Sequence, residues 1–237
     1  MMKKGLVVFL VAIITAMLTG CMYPEEQLAE NQIPYKDQAD AVQSAVNQFR
    51  EASGGLLPIK TKEAETPIYE KYPIDFERIV PAYLAELPGN SFENGGVFQY
   101  VLVDVETDPK VKLFDLRIAE TIRDIKLRIY SNGYPPYKEQ IADGIFTLDF
   151  KKLGYKEDPV VTSPYTHQKL PFIVTGEGEV LVDYRNDLYQ ALKADETQYK
   201  PGEDIRNILV KDSYFVPAYS HPYTIEPESD EPIFLVK

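Results

Sequence analysis

The side chain with the clearest reactive chemistry in this sequence is its single cysteine, Cys21. It closes the segment Leu18-Thr19-Gly20-Cys21, which follows Lys3, Lys4 and an apolar stretch beginning at Leu6. A positively charged start, a short apolar region and small residues at the end are typical of a secretory leader. The pattern therefore predicts a processed leader rather than an element of the fold.

The segment Leu18-Thr19-Gly20-Cys21 resembles the lipobox of bacterial membrane lipoproteins of Gram-positive type at all four positions. The resemblance implies cleavage after Gly20 and a diacylglycerol thioether on Cys21, because sulfur is the nucleophile that accepts the lipid. It also implies that the new amino terminus can carry a palmitate-type acyl chain. Two acyl chains anchor a protein stably, since each buried methylene contributes about 0.8 kcal/mol. The alternatives are an uncleaved span, for which roughly 14 apolar residues fall short of the roughly 20 required, and an ordinary thiol. The expected location is the outer face of the cell membrane.

Two histidines, His167 and His221, are the other candidates for catalysis, and Ser220 precedes the second of them. Nucleophilic catalysis needs a hydroxyl or thiol beside a base that a third group orients. Sequence neighbours seldom face each other in that way, and no Gly-x-Ser-x-Gly nucleophile elbow occurs in the sequence. We expect both histidines to be polar loop residues, and we predict no catalytic residue.

Metal and cofactor sites have little support. Zinc requires three or four His or Cys ligands at short spacing, and calcium loops alternate Asp around a central Gly. The alternating acids Asp104, Glu106 and Asp108 are typical of a solvated turn, and no phosphate loop or dinucleotide fingerprint occurs. We predict no metal and no cofactor. The repeated Asp75, Asp149 and Asp204 are predicted to be helix N-caps, because each precedes an apolar turn.

Composition limits the partners of the protein. The chain has 237 residues with 25 Lys and Arg against 37 Asp and Glu, a net charge of −12, which becomes −14 if Lys3 and Lys4 leave with the leader. Such an acidic protein is a poor ligand for nucleic acid or for anionic lipid. With Cys21 lipidated no disulfide is available, so the folded part must be stabilised by packing alone.

The chain divides into a leader at 1–20, a lipidated Cys21 and polar tether at 21–36, and a globular domain at 37–237. Val42, Ala45, Val46 and Phe49 recur at helical spacing, and the double glycine at 54–55 ends that helix. The segment Val97 to Val105 is predicted to be a strand. Asp108-Pro109 is predicted to start a second helix, whose apolar face contains Phe114, Ile118, Ile122, Ile125 and Ile129 and which ends at Ser131-Asn132-Gly133.

A similar order of segments recurs along the domain. Asp75-Phe76-Glu77-Arg78-Ile79 is echoed from Asp149 and from Asp204, and Val101-Leu102-Val103-Asp104 is echoed by Val180-Leu181-Val182-Asp183. We interpret the domain as units at about 37–108, 109–186 and 187–237, each with a helix, a short helical turn and a strand or hairpin. Chance recurrence of common local patterns is the alternative. The predicted fold class is α+β, with helices packed on antiparallel sheet.

A second, local resemblance is to the globular regions of type II secretion pseudopilins. It covers Asn132 to Pro135 and the run Val80-Pro81-Ala82-Tyr83-Leu84 with Leu87-Pro88. Those proteins begin with a prepilin leader and a long apolar helix, whereas this chain has a lipobox and a polar tether. The resemblance therefore implies a similar packing of helix on sheet. It does not extend to membership of a filament, because the start of the chain differs.

These features favour a non-enzymatic envelope module that binds an envelope protein or a cell-wall polymer. The alternatives are a wall-active hydrolase with paired carboxylates and a solute-binding lipoprotein. Rigid amphipathic rings lose little rotamer entropy when a partner buries them, so tyrosines in turns are the candidate binding residues. They are Tyr134, Tyr137, Tyr165, Tyr214, Tyr219 and Tyr223. The alternative role for these tyrosines is to plug the ends of the sheet.

Overall fold

The computed structural model describes residues 35–60, 62–195 and 197–236, so the leader, Cys21 and most of the predicted tether lie outside the described residues. Helices in these ranges are α1 (Tyr35–Ala52), α2 (Leu116–Asn132), α3 (Arg185–Ala194) and α4 (Asn207–Lys211). The strands are β1 (Phe98–Val103), β2 (Lys110–Asp115), β3 (Tyr137–Ala142), β4 (Ile145–Leu148), β5 (Val160–Thr162), β6 (Lys169–Thr175), β7 (Val180–Val182), β8 (Tyr223–Ile225) and β9 (Pro232–Phe234). None of the described helices has the length and apolar character needed to cross a bilayer.

All pairings between these strands are antiparallel. β1 and β2 form a hairpin with six facing pairs, from Phe98 opposite Asp115 to Val103 opposite Lys110. A second sheet has the order β3-β4-β6-β5, and β7 also pairs with β6. β8 and β9 form a terminal hairpin. Helices together with antiparallel sheets confirm the predicted α+β class.

An extended segment near the end of the chain joins the two larger sheets. The amide of Leu113 in β2 donates to the carbonyl of Tyr214 at 2.8 Å, and the amide of Val216 donates back to Leu113 at 3.0 Å. A few residues later the amide of Val182 in β7 donates to the carbonyl of Tyr219 at 2.8 Å. Both contacts are parallel, and they satisfy backbone groups that would otherwise be unpaired in the interior.

Each sheet covers its own hydrophobic core. The first core lies between α1 and the β1–β2 hairpin and contains Val42, Tyr100 and Leu113. The second and larger core packs α2 and α3 against the five-stranded sheet. A smaller cluster that includes Phe114, Val216 and Ala218 fills the space beside the extended segment.

The two long helices follow their predicted apolar faces. Val42, Ala45 and Val46 of α1 are buried, although α1 begins at Tyr35 and so includes the last two residues assigned to the tether. Ile118, Ile122 and Ile125 of α2 are buried as predicted. α2 ends at Gly133, whose φ of 87° lies in the left-handed region that glycine adopts without strain. Local sequence therefore identified the apolar faces of both helices and the glycine that ends α2.

The predicted start of the second helix at Asp108-Pro109 is wrong. Residues 110–115 form β2, and α2 begins only after Asp115, whose carboxylate accepts the amide of Arg117 at 2.8 Å. Phe114 consequently belongs to a strand and not to the helix face. Pairing with β1 at six facing positions explains the difference, because it buries Val111, Leu113 and Phe114 of this segment in the cores.

Three junctions share one local structure with the pattern Asp, apolar residue, Arg. In each the arginine amide donates to the aspartate Oδ1, at 2.8 Å for Arg117, 3.0 Å for Arg185 and 3.1 Å for Arg206. The matching guanidinium Nη2 to aspartate Oδ2 distances are 2.6, 2.6 and 2.7 Å. Asp183 therefore resembles Asp115 in local structure, whereas Asp104 lies in a turn with φ of 52°. The internal repeat itself stays a prediction.

The predicted N-cap role of the repeated aspartates needs correction. Asp75 precedes a short 3-10 helix but makes no side-chain cap hydrogen bond, and it pairs instead with Arg78 at 3.1 Å. Asp149 precedes a turn and not a helix. The carboxylate of Asp204 accepts the backbone amide of Arg206, which is the residue before α4. An arginine or lysine within three residues competes for each carboxylate, which explains why the pattern did not produce simple caps.

Candidate functional site

The structure separates the six predicted binding tyrosines. Tyr134 and Tyr137 are 63% and 43% exposed. Tyr223 is 0% exposed, and its hydroxyl accepts the amide of Tyr184 at 3.0 Å, so it is a core residue and not a surface anchor. Tyr165, Tyr214 and Tyr219 are partly buried and pack against the cores. Only the first pair is available to a partner as predicted.

The partly buried tyrosines have structural neighbours. Tyr214 donates its hydroxyl to Asp40 at 3.0 Å, and the Tyr219 ring packs edge-on against Phe114 at 5.8 Å. The Tyr165 ring lies 6.3 Å from that of Tyr184, and burial raises the pKa of the Tyr165 hydroxyl well above its ordinary value. These three tyrosines therefore have packing partners within the fold, and whether they plug the ends of the sheet stays a prediction.

The histidines and Ser220 do not form a nucleophile and base pair. Ser220 donates its hydroxyl to the carbonyl of Pro217 at 2.5 Å and accepts the Arg206 guanidinium at 3.1 Å. The Nδ1 of His221 lies 2.9 Å from the carbonyl of Pro222, and His167 is exposed in a turn with φ of 58°. Among the residues that the structure describes, no group of three or more His, Cys, Asp and Glu could hold a metal ion.

Burial raises the pKa of two carboxyl groups, Glu70 and Asp187, and both have structural partners. Glu70 accepts the amide of Tyr219 at 2.9 Å, and desolvation outweighs the favourable charges of its basic neighbours. Asp187 accepts the hydroxyls of Ser163 at 2.8 Å and Thr166 at 2.6 Å, and it shapes the turn that precedes β6. Each carboxylate therefore ties one segment of backbone to another.

The two most exposed large apolar side chains among the described residues, Tyr130 and Tyr134, lie at the end of α2 and in the connection to β3. Tyr130 is 86% exposed and Leu127 is 59% exposed, beside Tyr134 and Tyr137 in the chain. Sequence reasoning missed Tyr130 and Leu127, although both lie off the apolar face defined by Ile118, Ile122 and Ile125. An apolar residue outside the buried stripe of an amphipathic helix is the signal that would have identified them.

Exposed basic residues surround these side chains. We define the basic tyrosine face as Leu127, Tyr130, Tyr134 and Tyr137 with Arg123, Lys126, Lys138, Lys151, Lys152 and Lys156, all of which are exposed. Residues 123–138 and 149–156 contain seven Lys or Arg and two Asp, a net charge of +5 in a chain whose net charge is −12. Glu120, Glu139, Glu157 and Asp158 flank these segments in sequence. Within these bounds the face is a local positive area on an acidic protein, and the four flanking acids lower the net charge of the extended segments to +1.

Tertiary contacts bring the two segments of the face together. The guanidinium of Arg128 in α2 donates to the carbonyl of Leu153 at 3.1 Å and lies 4.2 Å from the Tyr155 ring centroid. The amide of Asp149 donates to the carbonyl of Pro136 at 2.8 Å. The turn at 149–156 therefore packs beside both α2 and the connection that contains Tyr134.

Asp124 and Asp149, the two aspartates within these segments, each form an ion pair inside the protein. Asp124 accepts the Tyr155 hydroxyl at 2.5 Å and Arg128 at 3.0 Å, and the tyrosine hydrogen bond lowers the pKa of this carboxyl. Asp149 lies 3.7 Å from the Lys152 ammonium. Arg123, Lys126, Lys138, Lys151 and Lys156 form no salt bridge with the residues that the structure describes. These cations are available to an anionic partner.

Fold and surface together describe an α+β structure with a basic aromatic face, in which Ser220 and the two histidines form no nucleophile and base pair. Residues 35–115 match the YphF family N-terminal domain. This span contains α1 and the β1–β2 hairpin and ends at the residue that caps α2, so the basic tyrosine face lies outside it. No curated protein and no solved structure shows a significant match. The resemblances to lipoprotein signals and to pseudopilins stay predictions.

Proposed function

We propose that this chain is a non-enzymatic lipoprotein of the cell envelope that is anchored through Cys21 and binds an anionic wall polymer through the basic tyrosine face. The 86% exposure of Tyr130 among unpaired basic side chains supports this proposal most directly. Anchoring rests on the segment Leu18-Thr19-Gly20-Cys21, which lies outside the described residues. The tether would place the domain within reach of the wall, since each extended residue spans about 3.5 Å.

The chemistry of the face favours a polymer with repeated negative charges. Tyrosine rings bury area at low entropic cost. Lysines without acidic partners can pair with phosphate or carboxylate groups without first breaking an internal ion pair. An acidic background would keep such a polymer away from the rest of the domain, because like charges repel. An envelope protein with an acidic surface is the competing partner, and the experiment separates the two.

Binding to purified wall sacculi tests the proposal. The full chain, extracted from membranes in detergent, is mixed with sacculi that retain their anionic polymers and with sacculi stripped of them. Binding to intact sacculi only, weakening as salt rises, is expected. Replacing Tyr130 and Tyr134 together by Ser should weaken binding about 30-fold, which corresponds to one recognition hot spot of about 2 kcal/mol.

A matched pair of charge variants provides the control. Lys126→Glu with Lys138→Glu reverses two charges within the face, whereas Lys60→Glu with Lys200→Glu makes the same change in net charge at exposed positions outside it. Only the first pair should lose binding. Equal loss in both pairs would show that net charge alone governs binding, and equal binding to stripped sacculi would exclude the anionic polymer.

A carboxylate-lined cleft keeps the hydrolase and solute-receptor alternatives open. It has a volume of about 620 Å³ and lies between the end of α3 and the β8–β9 turn, with Tyr189, Tyr199, Asp195, Asp230 and Glu231 in its wall. Hydrogen bonds from Thr197 lower the pKa of Asp195, which opposes a role as the proton donor of a glycosidase. Release of soluble sugar from sacculi, lost in Glu231→Gln, would support the hydrolase instead.

A further inference from the structure

The outer edge of strand β5 is open among the described residues. β5 pairs with β6 along one edge, and no described strand pairs with its other edge. Just after β5, the amide of Ser163 donates to the carbonyl of Gln168 at 2.8 Å. Backbone groups alternate in direction along an antiparallel pair, so Val161 also faces β6, whereas Val160 and Thr162 direct their amides and carbonyls outward. An unpaired edge of this kind accepts an extended segment of chain.

A groove runs beside this open edge. Its first part has a volume of about 460 Å³ and lies between the three residues of β5, the start of β1 and the first turns of α2, with Phe98 and Ile118 as apolar wall residues. Its second part, of about 220 Å³, shares Val97 and Arg117 with the first part and continues to Phe92. The side chain of Phe92 is 60% exposed. A segment in this groove would therefore cover apolar surface as well as the strand edge.

The segment that precedes α1 joins the domain beside this groove. The ring centroid of Tyr35, the first residue of α1, lies 5.1 Å from that of Phe215. The centroid of Phe215 lies in turn 5.6 Å from that of Phe98 in the groove wall. One turn into α1, the Gln38 side chain accepts the backbone amide of Asn90, whose carbonyl accepts the amide of Phe98 at 3.1 Å. Two separate series of contacts thus connect the start of α1 to the groove.

The sequence of the segment at 22–34, which lies outside the described residues, suits both the edge and the groove. Residues 27–33 contain no proline, so each of them has a backbone amide for strand pairing. Leu28 and Ile33 are apolar side chains that can cover the groove wall. The segment has three glutamates and no lysine or arginine, whereas the groove contains the guanidinium of Arg117. The charges of segment and groove are therefore complementary.

We propose that residues 27–33 bind in this groove as an additional strand on the open edge of β5. Backbone groups of the segment pair with the amides and carbonyls that Val160 and Thr162 direct outward, and its apolar side chains pack on the groove wall. Proteins commonly cover exposed strand edges with another part of the chain, which prevents pairing between copies. The occupant of the edge is thus the segment that links Cys21 to the domain.

Binding of the segment at this place fixes the orientation of the domain relative to its amino-terminal end. The groove lies at the first turns of α2, whereas Leu127 and Tyr130 of the basic tyrosine face lie at its last turns. An α-helix of 17 residues is about 25 Å long, so segment and face are at opposite ends of α2. With Cys21 as the anchor, the face points away from the membrane. This consequence rests on the proposed function, whereas the binding of the segment does not.

Hydrogen–deuterium exchange of the full chain, extracted in detergent and followed by NMR, tests the proposal. The outward amides of Val160 and Thr162 should exchange about tenfold more slowly in wild type than in Leu28→Asp with Ile33→Asp, because a hydrogen-bonded amide exchanges only when its bond opens. The double variant places two charges where the segment would cover apolar surface. Exchange in wild type that is as fast as in this variant would overturn the proposal.

Met22→Asp with Tyr23→Asp is the matched control, since it makes the same change in charge outside residues 27–33. This control should keep the slow exchange of wild type. Fast exchange in the control would show that net charge and not strand pairing governs the edge, which contradicts the proposal. Slow exchange that persists in Leu28→Asp with Ile33→Asp would also overturn it, and a dependence on protein concentration would then identify a second copy of the chain on the edge.

Cleavage by a glutamate-specific protease gives a second test, made from the groove side. Thr121→Glu adds a negative charge to the groove wall, whereas Thr107→Glu adds the same charge in an exposed turn outside it. Like charges repel, so cleavage after Glu30 should be about tenfold faster in Thr121→Glu than in wild type and unchanged in Thr107→Glu. Equal cleavage rates in the three proteins, with far-UV circular dichroism showing that all are folded, would refute the proposal. Neither test measures binding to the wall, so failure of the proposed function is distinguished from failure of this inference.

Discussion

Replacing Ile125 by Ala should destabilise the domain strongly, because this side chain is the centre of the contact between α2 and the five-stranded sheet. Ile125 is 0% exposed and packs in the same core as Phe172, Val182 and Leu188. The substitution removes three buried carbon atoms, which contribute about 2.5 kcal/mol of transfer free energy. The cavity left behind raises the expected loss to about 3–4 kcal/mol.

Equilibrium unfolding in urea, followed by far-UV circular dichroism, measures this loss. Leu127→Ala is the matched control, since it lies on the same helix with 59% of its surface exposed and should change stability by less than about 0.5 kcal/mol. Ile122→Ala, at 6% exposure, should resemble Ile125→Ala. A wild-type midpoint for Ile125→Ala, or an equal loss in the control, would refute the assigned orientation of α2.

Two further predictions concern the anchor and a buried carboxyl group. Cys21→Ser should abolish lipidation and release the protein from membranes, and persistence in the membrane fraction after a carbonate wash would exclude the Cys21 lipid as the anchor. Burial raises the pKa of Glu70 in the folded state, so its favourable contribution is present below the unfolded pKa and is lost as the pH rises through the folded pKa. Glu70→Gln keeps an acceptor for the Tyr219 amide and removes the buried negative charge, so it should be more stable than wild type in urea at pH 7. The difference in stability should vanish in acid. Lower stability of Glu70→Gln at pH 7 would contradict this assignment.

Local sequence was sufficient for α1, for the apolar face and the end of α2 and for strand β1, because their periodicities repeat within a few residues. The apolar spacing of Val42 and Val46 and the left-handed end at Gly133 are properties of neighbouring residues alone. β2 was missed because Phe114 fits the helical spacing of Ile118 and Ile122, although Lys110-Val111-Lys112-Leu113 alternates polar and apolar residues as a strand does. A strand that is stabilised by a partner is difficult to identify from its own residues.

For the candidate surface, the sequence identified tyrosine in turns as the relevant residue type and named Tyr134 and Tyr137. It could not distinguish them from Tyr223, because neighbouring Pro and His residues do not report whether a ring is covered by a distant strand. The burial of Tyr223 depends on Val182 and Phe234, which are far from each other in the chain. Exposure is a property of the assembled core, so six chemically similar tyrosines acquire different roles.

By itself, the sequence determined the acidic character of the protein, the α+β class and the buried stripe of α2, because each depends on composition or on short-range periodicity. The leader and the lipidation of Cys21 stay predictions. Only the tertiary structure decided the rest. It placed the turn at 149–156 against α2 through Arg128, which gathers basic residues from two segments into one face. It also determined that the Gln38 side-chain oxygen accepts the backbone amide of Asn90, a hydrogen bond between positions 52 residues apart that no local pattern predicts.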